Sequence, residues 1–108
     1  MSYWIGLVEP DKKHREIDEF GVHCSWNFKN MMTHLPCGWV RDWQGKQAKE
    51  MIGLVFQSAR SLALNPKFYQ KYELDPERNL GTVSNCYDIL NRCYIGFIKY
   101  PDGIITID

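Results

Sequence analysis

The sequence predicts an α+β domain: a small antiparallel sheet, built from an N-terminal hairpin and a C-terminal strand, covered on one face by two main helices. Three observations carry this. Short β-rich runs stand at both ends of the chain, Tyr3-Trp4-Ile5-Gly6-Leu7-Val8 and Ile104-Ile105-Thr106-Ile107. Two long stretches between them repeat apolar residues at three- and four-residue spacing. Turn-forming clusters punctuate the joins.

In order along the chain, the first run ends at Glu9-Pro10-Asp11, a turn signal. After the charged stretch Lys12 to Glu16, residues Phe20, Val22, Cys24 and Trp26 alternate with polar or small ones, the period of a half-buried strand. The two strands are expected to form a hairpin. Gly45 opens the clearest helical pattern, with Ala48, Met51, Ile52, Val55, Ala59 and Leu62 on one face. Asn65-Pro66 stops it and starts a short turn reaching Tyr72, since proline is suited to the first helical position. Leu74 to Gly81 reads as a loop. A second long helix spans roughly Thr82 to Lys99, where Val83, Cys86, Leu90, Cys93 and Phe97 form one stripe. Tyr94, Ile95 and Ile98 carry apolar character beyond that stripe, so this helix is expected to touch another subunit. Tyr100-Pro101-Asp102-Gly103 turns the chain into the last strand.

With 108 residues and no repeat or low-complexity segment, a single domain over residues 1–108 is expected. Thirteen Lys and Arg balance thirteen Asp and Glu, which speaks against duplex nucleic acid as a partner. Neither a leader peptide nor a membrane span is predicted, and four scattered cysteines do not form a disulfide framework, so the expected compartment is cytoplasmic. No cofactor and no metal is expected. His34 and Cys37 are half of a zinc spacing without a second pair. Cys86 and Cys93 on one helix would lie about 10.5 Å apart along its axis, too far to share an ion. The same cysteines fit small buried hydrophobes. No nucleophile elbow, zinc-protease motif or phosphate loop occurs, so no catalytic residue is assigned.

The segment from Trp26 to Lys46 holds three of the four tryptophans among amides and cations. Trp39 and Trp43 flank Arg41, and flat rings beside a planar cation suit base stacking and phosphate binding. Asn27 and Asn30 can read a ligand edge or lock a turn. Lys46, beside the free N–H groups of a helix start at Gly45, suggests an anion site. The candidate ligand-binding set is therefore Trp26, Asn27, Asn30, Trp39, Arg41, Trp43 and Lys46. The alternative from the same residues is a core plug of tryptophans with Asn caps.

The order of motifs resembles a family of small, mostly bacteriophage-encoded proteins without assigned function. Its features are an Asn-aromatic-x-Asn strand end, a Gly-x-x-Ala helix start, an Asn-Pro-x-x-Tyr/Phe break, an Asn-x-Gly loop and a helix closed by Tyr/His-Pro-Asp. The counterparts here are Asn27-Phe28-Lys29-Asn30, Gly45 to Ala48, Asn65 to Tyr69, Asn79-Leu80-Gly81 and Tyr100-Pro101-Asp102. The match departs at two places. The Asn pair is one residue closer and lacks the usual Thr, and no tryptophan stands in the Asn79 loop. The resemblance implies a phage context, and with it a counter-defence role in the host cytoplasm. The resulting expectation is a non-enzymatic homo-oligomer that sequesters a small nucleotide-type signalling ligand. The alternatives are a protein–protein inhibitor of a host defence factor and a small nucleotide-processing enzyme.

Overall fold

A computed structural model describes residues 1–11 and 13–108. The chain forms β1 (Ser2–Val8), β2 (Val22–Ser25), α1 (Lys29–Thr33), α2 (Ala48–Leu64), α3 (Pro66–Tyr69), α4 (Val83–Lys99) and β3 (Ile104–Ile107). Short 3-10 turns cover Trp26–Phe28, Val40–Trp43, Gln70–Tyr72 and Pro76–Arg78. The three strands are antiparallel in the order β2-β1-β3, and helices pack on the sheet, so the expected α+β architecture is present.

The pleat sorts the strand residues. Tyr3 pairs with Cys24, Ile5 with Val22 and Ile107, and Leu7 with Ile105. Ile5, Leu7, Val22, Cys24 and Ile105 are all buried against the helices. Trp4, opposite His23, points the other way.

β2 is shorter than its alternating pattern suggests. Ser25 has extended backbone and its hydroxyl accepts from the Asn27 N–H at 3.1 Å, which converts the chain to helix at Trp26. The alternation from Phe20 to Trp26 therefore stops one residue early. Phe20 instead reaches the core through Gly96 of α4, where a Cβ would lie 2.1 Å from the ring. Only glycine lets the ring approach the helix backbone this closely.

α2 and α4 pack on each other along their apolar stripes. α2 buries Ala48, Met51, Val55, Ser58 and Leu62, and α4 buries Val83, Cys86, Leu90, Cys93 and Phe97 among others. Thr82 caps α4, its hydroxyl accepting from the Asn85 N–H at 3.2 Å. Ser58 is the polar exception in the α2 stripe. Its hydroxyl donates to the Leu54 carbonyl at 2.7 Å and accepts from the Cys37 N–H at 2.9 Å, so the helix holds the preceding loop. The expected surplus on α4 is present at Ile95 (58 % exposed) and Ile98 (49 %). Tyr94 is half-buried, with its ring 5.5 Å from that of Phe56. Among the described residues no helix is long and apolar enough to cross a membrane.

Candidate functional site

The seven residues predicted to share a site do not all converge: Trp26 and Trp39 both lie against Tyr3, but the strand order separates the Trp26 end of the set from Arg41, Trp43 and Lys46. Trp26, Asn27 and Asn30 follow β2 at one edge of the sheet. The turn carrying Arg41 and Trp43 packs against β3 at the opposite edge, and Lys46 joins that strand through its carbonyl and the Ile105 N–H at 2.8 Å.

Trp39 and Trp43 are core residues, 5 % and 1 % exposed, and offer no face for stacking a base. Trp43 meets Phe97 edge-on with centroids 6.2 Å apart, and its indole N–H donates to the Cys37 carbonyl at 2.8 Å. Trp39 lies against Tyr3. For these two the core-plug alternative is the correct one. Arg41 is exposed, with no ion pair among the described residues.

The anion site expected at Lys46 is also corrected. The start of α2 is docked on the turn before β3: Ala48 N–H donates to the Gly103 carbonyl at 2.7 Å and Lys49 N–H to that of Pro101 at 2.9 Å. Glu50 N–H donates to the Gln47 carbonyl at 3.0 Å, while the Glu50 carboxylate accepts from the Gln47 N–H at 2.7 Å. The donors that would hold a phosphate are spent, and a carboxylate already complements the helix dipole.

The other half of the set does border a hollow. A groove of about 370 Å³ is lined by Trp26, Asn27, Lys29, Asn30, Tyr72 and Glu73, with Thr33 and Leu74 completing it. Its two walls come from the β2 exit and from the turn after α3. Gly81, with φ +66°, closes the join: a Cβ there would lie 2.5 Å from the Asn27 carbonyl oxygen.

Hydrogen bonding separates the two roles open to the asparagines. Ser25, not Asn27, caps the turn. The Asn30 carbonyl accepts from the Thr33 hydroxyl at 2.9 Å and lies 2.7 Å from His34 Nδ1, so backbone and neighbouring side chains fix this segment. Neither the Asn27 nor the Asn30 carboxamide has a hydrogen-bond partner among the described residues. Both carboxamides are left to solvent or to a ligand.

Trp26 packs against Tyr3 at 5.8 Å, and the Lys29 ammonium lies 5.4 Å from the Trp26 ring centroid. Its indole N–H is buried without a partner among the described residues. Tyr72 stacks on His34 at 4.1 Å. The Glu73 carboxylate accepts from the Val83 N–H at 2.8 Å, which ties the groove to the start of α4. Lys29, Thr33, Tyr72, Glu73 and Leu74 join the groove without belonging to the seven residues that the sequence singles out. The aromatic spacing of Phe68, Tyr69 and Tyr72 was the one available signal for the second wall.

No thiol chemistry is poised. All four cysteines are buried and unpaired. Burial pushes Cys24 up to about 12 and Cys37 to about 11, and it pushes Cys86 and Cys93 well above the ordinary thiol value. His34 is turned toward Tyr72 and Asn30, while the Cys37 thiol donates to the Gly38 carbonyl at 3.3 Å, so the two are not an activated pair. Among the described residues no three potential metal-ligating side chains come together.

Neither a family model, nor a curated protein, nor a solved structure matches this chain.

The residues that carry the motif resemblance fall in those two regions and in a neighbouring hollow. Gly45 to Ala48 and Tyr100 to Asp102 meet in the docking of the α2 start. Asn27, Asn30 and Gly81 meet at the groove, while Pro66 and Asn79 line a neighbouring hollow of about 550 Å³ that shares Glu73 with it.

Proposed function

We propose that this chain is a non-catalytic binding protein that takes a small nucleotide-type ligand into the groove of Trp26, Asn27, Lys29, Asn30 and Tyr72. The observation that carries this reading is the pair of unpartnered carboxamides, Asn27 and Asn30, beside an aromatic ring and a cation. A carboxamide presents a donor and an acceptor to the polar edge of a base. The volume is within the range of small-molecule sites, roughly 300–1,000 Å³. With one lysine and one carboxylate at its walls, the groove suits a nucleoside or a monophosphate better than a polyphosphate. Lys29 rests over the Trp26 ring where a base would stack, and ligand entry moves it toward the phosphate.

The biological setting in this proposal is phage counter-defence in the host cytoplasm, with sequestration of a signalling nucleotide; it draws on the motif resemblance alone. The second reading, an inhibitor that grips a host protein, is favoured by the exposed apolar side chains of Phe56 on α2 and of Ile95 and Ile98 on α4. In the first reading those side chains join subunits of a homo-oligomer.

Intrinsic tryptophan fluorescence, titrated with a panel of linear and cyclic nucleotides, tests the ligand. The expected result is quenching by one class, lost in Asn30→Ala at unchanged melting temperature. A flat response to the whole panel, together with native mass spectrometry showing no small molecule bound to protein purified from cells, overturns the reading. Light scattering of Ile95→Glu/Ile98→Glu tests the oligomer separately, with a change to monomer expected.

A further inference from the structure

The face of the sheet turned away from the helices carries an exposed aromatic ring. Trp4 is 51 % exposed. It stands opposite His23 on β2, while Gly6, two residues along β1, pairs with Thr106 on β3. The ring is not a loose surface side chain. It lies across Gly21, where a Cβ would come within 2.1 Å of Cζ2, so a glycine backbone forms its seat. A ring held in this way loses little freedom when a partner covers it.

The surroundings select the partner. The hollow beside the ring, about 220 Å³, is lined by Glu16, Asp18, Asp108 and Thr106 and, among the described residues, by no Lys or Arg. None of its three carboxylates is in an ion pair among the described residues. An adjoining hollow shares Glu16 and Asp18 and adds Glu9, Glu19 and Asp102, the last already paired with Lys49 at 3.2 Å, with Lys99 the one cation among its described lining residues. The chain as a whole is neutral, so this concentration of acid is a local field rather than an overall bias. An apolar partner would bury those carboxylates unpaired, at a cost that no contact with one indole offsets. A polyanion would be repelled. A basic segment meets both features, because a guanidinium can lie flat on an indole while carboxylates take its N–H groups.

We propose that the outer sheet face docks an arginine- or lysine-bearing segment of a partner protein, with one cationic side chain over Trp4 and paired to Glu16 and Asp18. This surface is separate from the Asn27–Asn30 groove, so the inference does not depend on the ligand read there. Trp4 supplies the central contact, and the carboxylates around it supply steering and orientation.

An arginine–glycine repeat peptide, titrated at low salt by calorimetry, is the probe. Saturable binding is expected, weaker by about tenfold in Trp4→Ala, the loss of one desolvated cation–π contact. Because Trp4→Ala also removes packing on Gly21, the double variant Glu16→Gln/Asp18→Asn is measured beside it. Those residues are exposed, and a comparable weakening at unchanged melting temperature is expected. Absence of binding to the native protein overturns the proposal. So does binding that the double variant weakens while Trp4→Ala leaves it intact, since that is charge attraction without a ring. Self-association abolished by Trp4→Ala would assign the face to a second copy and overturn it equally.

Discussion

Trp43 and Trp26 come from one aromatic-rich segment and meet opposite fates. Trp43 is enclosed at the β3 edge with its indole N–H bonded to the Cys37 carbonyl. Trp26, at the β2 edge, is half-buried and its N–H lacks a partner among the described residues. A buried indole is a stabilising unit only when its polar end is satisfied as well as its rings. The Trp43 half of the segment therefore holds the fold, and the Trp26 half borders a groove whose amides are unused.

The sharpest way to break this contrast is Trp43→Ala. It should lower unfolding free energy by about 3–5 kcal/mol, measured by denaturant titration, because a large cavity opens and the Cys37 carbonyl loses its donor. A loss no larger than that from Trp26→Ala would erase the distinction between the two halves.

Next in size is Gly81→Ala. Its positive φ and the Asn27 carbonyl 2.5 Å from the new methyl predict a loss of about 1–3 kcal/mol. The variant should also disturb the groove, seen as shifted Trp26 emission, and leave the Trp43 environment intact.

Cys86→Ala should cost about 1–2 kcal/mol through lost packing. The cysteines also predict a pH effect with a definite sign. A thiol is neutral when protonated, so a raised value means that the fold keeps a proton the unfolded chain releases. The contribution of Cys24 is complete below its ordinary value of 9.0 and is lost as pH rises from there toward about 12. Stability measured across that window should fall less steeply in Cys24→Ala than in the native protein.

The smallest expected change in stability is also the most informative. Asn30→Ala should shift unfolding by no more than about 0.5 kcal/mol, because its carboxamide holds nothing in the fold. A larger loss would make it a structural residue and remove the basis for the groove as a binding site.

The long elements were legible because periodicity reports burial directly. The α2 stripe of Ala48, Met51, Val55 and Leu62 and the α4 stripe of Val83, Cys86, Leu90, Cys93 and Phe97 both face the core as their spacing required. The start of α2 was displaced from Gly45 to Ala48 by a contact no local pattern displays. Gln47 bridges Ile104, and the intervening residues run beside β3 before the helix can begin. The candidate site failed for a related reason. Nearness in sequence put Trp26 and Lys46 together, but the order β2-β1-β3 sends the chain from one edge of the sheet to the other between them. The true neighbours of Asn27 are Gly81 and the Tyr72 turn, long-range contacts that follow from how α4 enters the fold.

That contact between Gly81 and the Asn27 peptide has a kinetic consequence. The groove's walls belong to chain segments far apart in sequence, and they meet only once the chain has closed a long loop around α2. Neither wall can act as a ligand site in a nascent or partly unfolded chain. The groove is thus complete only when α4's entry has joined the end of β2. A ligand that spans both walls would act as a clasp on that joint and slow its opening, so that amide hydrogen exchange at Gly81 and Asn27 would become slower when the groove is filled.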